Sequence, residues 1–186
     1  KELSGIIIEL TLSLPYLLLG LSLLIMFSSP AGKWLKEQGF KVVFSPAGIV
    51  MAHILVNLPY AIRLIRTAFE ASDQRMEFIA LTLGASPWRC FLTILLPLCR
   101  RSLVSTFILT WSRALGEFGA TLMLVGITRF KTETLPGSIY LSISTGDNQA
   151  AMATAMLMLI ISGLTLFLSR LLTSPADRNK RQVFIR

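Results

Sequence analysis

The chain is poor in the residues that build most active sites. It has two cysteines, Cys90 and Cys99, and one histidine, His53. Two thiols form no disulfide framework and have no metal-ligand spacing, and a lone imidazole cannot assemble a metal centre. Charge is scarce too: 15% of the 186 residues are Asp, Glu, Lys or Arg, against about 25% in ordinary soluble domains. That shortage excludes a disordered tail and argues against a water-soluble enzyme. Acidic residues are the scarcer sign, 10 against 18 basic ones. A net charge of +8 can indicate nucleic acid, but such proteins carry their charge on a hydrophilic scaffold. Here it punctuates long apolar runs, so a nucleic-acid partner is not expected. No phosphate-binding loop is present, since Gly32-Lys33 lacks the upstream glycine and is followed by Trp34.

What the chain has in abundance is apolar sequence, with 53% hydrophobic residues. A helix needs about 20 mostly apolar residues to cross the hydrocarbon core of a bilayer. Four runs qualify: 6–27, with Glu9 near its start; 42–62; 102–128, with Arg113 and Glu117 inside; and 148–169. Backbone polar groups find no water in lipid, so these runs predict helices and an all-α membrane protein. Pro15 and Gly20 interrupt the first run, Pro59 is expected to end the second, and Gly116 and Gly119 sit in the third, where small residues and kinks let membrane helices bend and approach closely.

Basic residues set the orientation. One side holds twelve: Lys1, six arginines between Arg63 and Arg101, and Arg170, Arg178, Lys180, Arg181 and Arg186. The other side holds Lys33, Lys36, Lys41, Arg129 and Lys131. The richer side is expected to be cytoplasmic. Both ends then lie inside, and residues 28–41 and 129–147 lie outside. The tail 176–186, with Arg178-Asn179-Lys180-Arg181, reads as an anchor beside anionic headgroups of the lipid bilayer.

The cytoplasmic segment 73–91 predicts a helical elbow. Asp73 can cap a short helix that ends at Gly84. Within it Met76, Ile79, Ala80 and Leu83 form one apolar face, with Glu77 beside them. Ala85 leads into Ser86-Pro87, a cap followed by proline at the first helical position, and Trp88 follows. A second short helix is expected from Pro87 to Leu95, closed by Pro97. Two readings of the elbow stay open: an interfacial helix on lipid headgroups, or a docking knob for a soluble partner.

Inside the spans, Arg113 and Glu117 are four residues apart, on one face of a helix. Charges at membrane depth are costly and suggest function. A structural pair, or a pair linking helices at a pathway, is preferred over direct contact of Arg113 with an anion. Thr110, Ser112 and Thr121 are candidate pathway hydroxyls. His53 and Asn57 are read as a hydrogen bond between helices, and Met152, Met156 and Met158 as packing or lipid-facing residues.

Several motifs together resemble a known family. Gly84, nine residues, then Ile94-Leu95-Leu96-Pro97 is similar to the second half of the "EAA" motif of ABC-importer permeases. Of the Glu-Ala-Ala only Ala80 aligns, with Glu77 one place early. Phe44-Ser45-Pro46-Ala47-Gly48-Ile49, Leu83-Gly84-Ala85-Ser86-Pro87-Trp88 and Thr134-Leu135-Pro136 extend the likeness. Its most specific block is Arg113-Ala114-Leu115-Gly116-Glu117-Phe118-Gly119-Ala120-Thr121. The chain thus resembles permeases of molybdate/tungstate importers, within the wider molybdate–sulfate group, over roughly residues 10–172.

The resemblance implies a type I (MetI-like) helical bundle with domain limits near 1–175. It implies a multi-pass protein of the cell membrane that is not itself an enzyme. It further implies a homodimer of permeases, two partner ATPases that hold the ATP and Mg, an external substrate-binding protein, and no cofactor on this chain. The elbow would couple to the ATPase. Family members carry one or two further spans at the amino end, and this chain is expected to begin just after them. A sulfate/thiosulfate permease of the same group is the near alternative. A membrane scaffold that recruits a soluble partner through the elbow is the distant one.

Overall fold

The structure is a computed structural model that describes residue 9, residues 11–72 and residues 74–172. The start of the first predicted span, the capping role of Asp73, and the tail 176–186 lie outside the described residues. Among those described, the regular elements are all helical. Three helical stretches are long and apolar enough to cross a membrane: Pro46–Glu70, Pro87–Leu115 and Asn148–Leu171. A bent pair makes a fourth if it is one span.

That bent pair consists of α1 (Tyr16–Ser28) and α2 (Pro30–Glu37), inclined by 69°. The bend has a local cause. Pro30 forces Ser29 out of the helical region, to φ −67° and ψ 169°, and then itself opens α2 at the first helical position. The first predicted run therefore holds a 13-residue helix that turns at its carboxyl end.

The second span, α3 (Pro46–Glu70), runs well beyond its expected end at residue 62. Pro59 lies inside it and does not stop it. Membrane helices tolerate an interior proline because neighbouring groups re-satisfy the freed carbonyl. The last turns of α3 are polar, with an exposed Arg66 Nε–Glu70 Oε1 pair at 2.7 Å.

The third predicted span is displaced. After α4 (Gln74–Thr82) the chain enters α5 (Pro87–Cys90), passes through a π-helical turn over Phe91–Leu95, and continues as α6 (Leu96–Leu115). Pro97 was expected to close a short helix, yet it sits near the start of a long one. The wide turn just before it explains this. Leu96 N–H reaches back to the Phe91 carbonyl, so the coil widens where the proline ring would otherwise crowd the preceding turn. At its other end α6 stops at Leu115. The backbone N–H groups of Gly116 and Glu117 bond three residues back, to Arg113 and Ala114. A separate short helix, α7 (Gly119–Val125), follows. The expected continuous span 102–128 is therefore two helices with a break at residues 116–118. The described residues end with α8 (Leu135–Ser144) and α9 (Asn148–Leu172).

The chain divides into two compact units. The first comprises residues 1–60 and 110–163. Its core is built on small side chains, with Val42, Ala52, Val56, Ala120, Leu124 and Val125 buried and Tyr16, Leu19 and Leu23 packed around them. Here α1 lies against α7. A Cβ on Gly20 would sit 2.6 Å from both Cα and O of Ala120, so the two backbones approach as closely as glycine alone allows. Without a hydrophobic drive between helices in lipid, such close van der Waals contact is what holds them together. The second unit comprises residues 61–109 and 164–186. In its described part, Ser105 Oγ and Ser169 Oγ share a buried hydrogen bond of 3.1 Å, and Cys99 Sγ donates to the Ala68 carbonyl at 3.6 Å.

Candidate functional site

Two features stand out, one in each unit. In the second unit the elbow forms by local chemistry. Helix α4 ends on Gly84, whose φ is +86°. Gly84 N–H bonds to the Leu81 carbonyl and Ala85 N–H to the Ala80 carbonyl, both at 3.0 Å. This crossed pair satisfies carbonyls that a helix end leaves free, and it needs a residue in the left-handed region, which glycine enters without strain. Ser86 then caps α5, its Oγ accepting the Arg89 N–H at 3.3 Å, with Pro87 at the first helical position. Ala80 and Cys90 are buried where α4 meets α5. Cys90 Sγ donates to the carbonyl of Glu77 at 4.0 Å, and the Glu77 side chain is exposed.

The predicted apolar face divides at this point. Ala80 points inward, while Met76, Ile79 and Leu83 are exposed, Leu83 at 82%. Phe78, Leu81 and Trp88 are exposed as well. Trp88 stacks on Phe91 at 5.9 Å between centroids. Helical spacing alone missed Phe78 and Leu81, which widen the apolar surface beyond one stripe.

In the first unit a cleft of about 400 Å³ is lined by Pro15, Tyr16 and Leu17 from the start of α1, and by Arg113, Gly116, Glu117, Phe118 and Gly119 around the α6–α7 break. The expected Arg113–Glu117 pair does not form. Among the described residues, the ion pair found within 4.0 Å is Arg66–Glu70. The reason is the break: once α6 ends at Leu115, residues 113 and 117 no longer share a helical face. Glu117 is buried, and its Oε1 accepts the Ala120 N–H at 2.9 Å. It thus caps the open amino end of α7, where a negative charge is favoured. Arg113 instead lies over two aromatic rings, 5.1 Å from the Tyr16 centroid and 4.8 Å from that of Tyr60.

The remaining polar candidates separate. Thr121 is buried and bonds back to the Phe118 carbonyl at 2.9 Å, so its hydroxyl serves α7. Thr110 Oγ1 is buried and lacks a hydrogen-bond partner among the described residues. Ser112 is half-buried. Asn57 Nδ2 donates to the His53 carbonyl at 2.8 Å, one turn back in α3. The expected bond between helices is therefore a bond within one helix. His53 Nε2 and Asn57 Oδ1 are buried without hydrogen-bond partners among the described residues. Met152 and Met156 are exposed, and the Met158 methyl lies beside Gly116.

Tyr16 and Tyr60 were not picked out by sequence reasoning. The available signal was their scarcity: the chain has three tyrosines, and two of them directly follow a proline inside an apolar run, as Pro15-Tyr16 and Pro59-Tyr60.

Residues 1–176 match a family described as the inner membrane component of binding-protein-dependent transport systems. The chain belongs to this family. Its membership agrees with the all-helical, multi-pass architecture and with a transport subunit. Similar proteins include a molybdenum transport system permease of Haemophilus influenzae, 36% identical over 98% of this chain and 81% of the relative. One of Mycobacterium bovis is 37% identical over 85% of this chain and 60% of its own length. A sulfate transport system permease of Escherichia coli is 32% identical over 96% of this chain and 65% of its own length. The chain thus spans between 60% and 81% of these three relatives.

Proposed function

We propose that the chain is the membrane-crossing subunit of an ATP-driven importer of tetrahedral oxyanions, molybdate or tungstate first among them. The observation that carries this reading is the family match combined with similarity to permeases named for molybdenum transport in two genera. The sulfate permease relative is nearly as similar, so sulfate is the second reading, for the same fold and the same site.

The transport energetics require an external drive. Moving a dianion against an interior-negative potential costs about 2.3 kcal/mol per charge per 100 mV, or about 4.6 kcal/mol for two charges. In this reading two ATPase subunits, which hold ATP and Mg, supply that drive. An external binding protein delivers the anion, and two copies of the permease enclose the path. The exposed apolar elbow is the natural seat for the ATPase. Met76, Phe78, Ile79, Leu83 and Trp88 form its contact surface, and Gly84 sets its shape. With both ends cytoplasmic, the elbow faces the compartment that holds ATP. ATPase closure would then move the spans between outward- and inward-open arrangements.

The test is uptake of labelled molybdate, tungstate and sulfate into vesicles that carry the full complex, with and without ATP. ATP-dependent accumulation of one of them supports the proposal. Equal entry with and without ATP, or none at all, contradicts it.

A further inference from the structure

We propose that Arg113 is the cationic contact for the oxyanion within the membrane, offered to the cleft of the first unit by the rings of Tyr16 and Tyr60. The inference deepens the transport reading and rests on it.

Three observations carry it. First, the residue that could neutralise Arg113 is engaged elsewhere, because Glu117 is buried and its Oε1 holds the Ala120 N–H. Among the described residues no carboxylate lies within 4.0 Å of Arg113. Second, the contacts that Arg113 makes among the described residues are with two aromatic rings. Its guanidinium carbon lies 5.1 Å and 4.8 Å from the two tyrosine ring centroids. A cation–π contact of this kind occupies none of the guanidinium N–H donors as a hydrogen bond would, so its two-pronged fork can still meet an anion. That fork matches two oxygens of a tetrahedral dianion. Third, Arg113 lines a cleft with Tyr16, Gly116, Gly119 and Glu117, whose Oε1 is held by the Ala120 N–H, and the cleft is about 400 Å³, ample for a five-atom anion. A cation within a membrane span that meets aromatic rings and, among the described residues, no carboxylate is costly unless a counter-charge arrives, and a passing anion is such a counter-charge.

The alternative is that Arg113 only braces Tyr16 against Tyr60. The experiment separates the two. Full-length permease is assembled with its ATPase and binding protein in liposomes, and delivery of tungstate is measured per assembled complex. If the unaltered complex delivers none of tungstate, molybdate and sulfate, the transport reading fails and not this inference alone. Where the unaltered complex transports, Arg113→Gln is expected to lower tungstate delivery per assembled complex by about tenfold or more. Arg113→Lys keeps the charge but loses the fork, and is expected to fall by about threefold. A bracing role predicts fewer assembled complexes with unchanged delivery from each, and that result overturns the proposal. If Arg113→Gln does not assemble, Arg113→Lys decides: reduced delivery per complex supports the contact, and an unaltered rate refutes it.

Discussion

Glu117 Oε1 accepts a hydrogen bond from the Ala120 backbone N–H at 2.9 Å, across the break between α6 and α7. This contact makes Glu117 a helix cap and frees Arg113 from the ion pair that their spacing suggests. Both residues line the cleft, but they perform separate tasks: Glu117 caps α7 and Arg113 meets the two tyrosine rings.

Separate tasks predict weak energetic coupling. Glu117→Gln keeps an acceptor for the Ala120 N–H and should cost less than about 1 kcal/mol, whereas Glu117→Ala should cost about 0.5–2 kcal/mol as a lost cap. In a double-mutant cycle on thermal stability in detergent, Arg113→Gln and Glu117→Gln should add to within about 0.5 kcal/mol. Recovery of stability in the double variant would instead indicate an ion pair between Arg113 and Glu117 in the unaltered protein and contradict the separate roles.

The close approach of α1 and α7 gives a steric prediction. Gly20→Ala would place a Cβ 2.6 Å from Ala120 backbone atoms, and should destabilise the protein by roughly 1–3 kcal/mol. Gly163, in α9, has nothing within 4 Å of its would-be Cβ, so Gly163→Ala should be neutral or slightly stabilising. Melting of the purified protein in detergent compares the two. Equal effects would contradict the packing.

Much of this architecture was legible in the sequence, for a physical reason. Lipid leaves the backbone no partner but itself, so long uncharged runs such as 148–169 declare themselves as helices. Gly84 was legible too, because a helix end followed by Ser86-Pro87 leaves few residues able to reverse the chain. The break at residues 116–118 was not legible. Gly116 and Gly119 marked an irregularity, but a kinked helix and two separate helices share that pattern, and the difference decides whether Arg113 and Glu117 meet. Pro59 and Pro97 misled for a related reason: in water a proline ends a helix, whereas in this fold a continued apolar run and a π turn carry the helix past it. The tyrosine contacts of Arg113 join α1, α3 and α6, and no local spacing encodes them.

The elbow offers a test of backbone conformation. Nothing lies within 4 Å of a Cβ added at Gly84, so a substitution there strains the backbone and meets no clash. At φ +86° a β-branched residue is disfavoured by about 1 kcal/mol or more, whereas asparagine is tolerated. Gly84→Val should therefore weaken co-purification of the ATPase, and Gly84→Asn should retain it. Equal retention by both variants would separate docking from the shape of this turn.

Orientation is open to cysteine labelling. A reporter at Ser29 should react with an impermeant reagent from outside, and one at the exposed Thr82 only after the membrane is opened. The native Cys90 and Cys99 are buried and should give little background. The reverse pattern would place the elbow away from ATP and remove the docking argument.

The most direct measurement for the whole account is ATP hydrolysis by the complete complex in liposomes, with binding protein presented in turn with molybdate, tungstate, sulfate or no anion. The account predicts hydrolysis that rises with at least one anion-loaded binding protein, accompanied by accumulation of that anion inside. Hydrolysis indifferent to all three anions, with none accumulating, would contradict it.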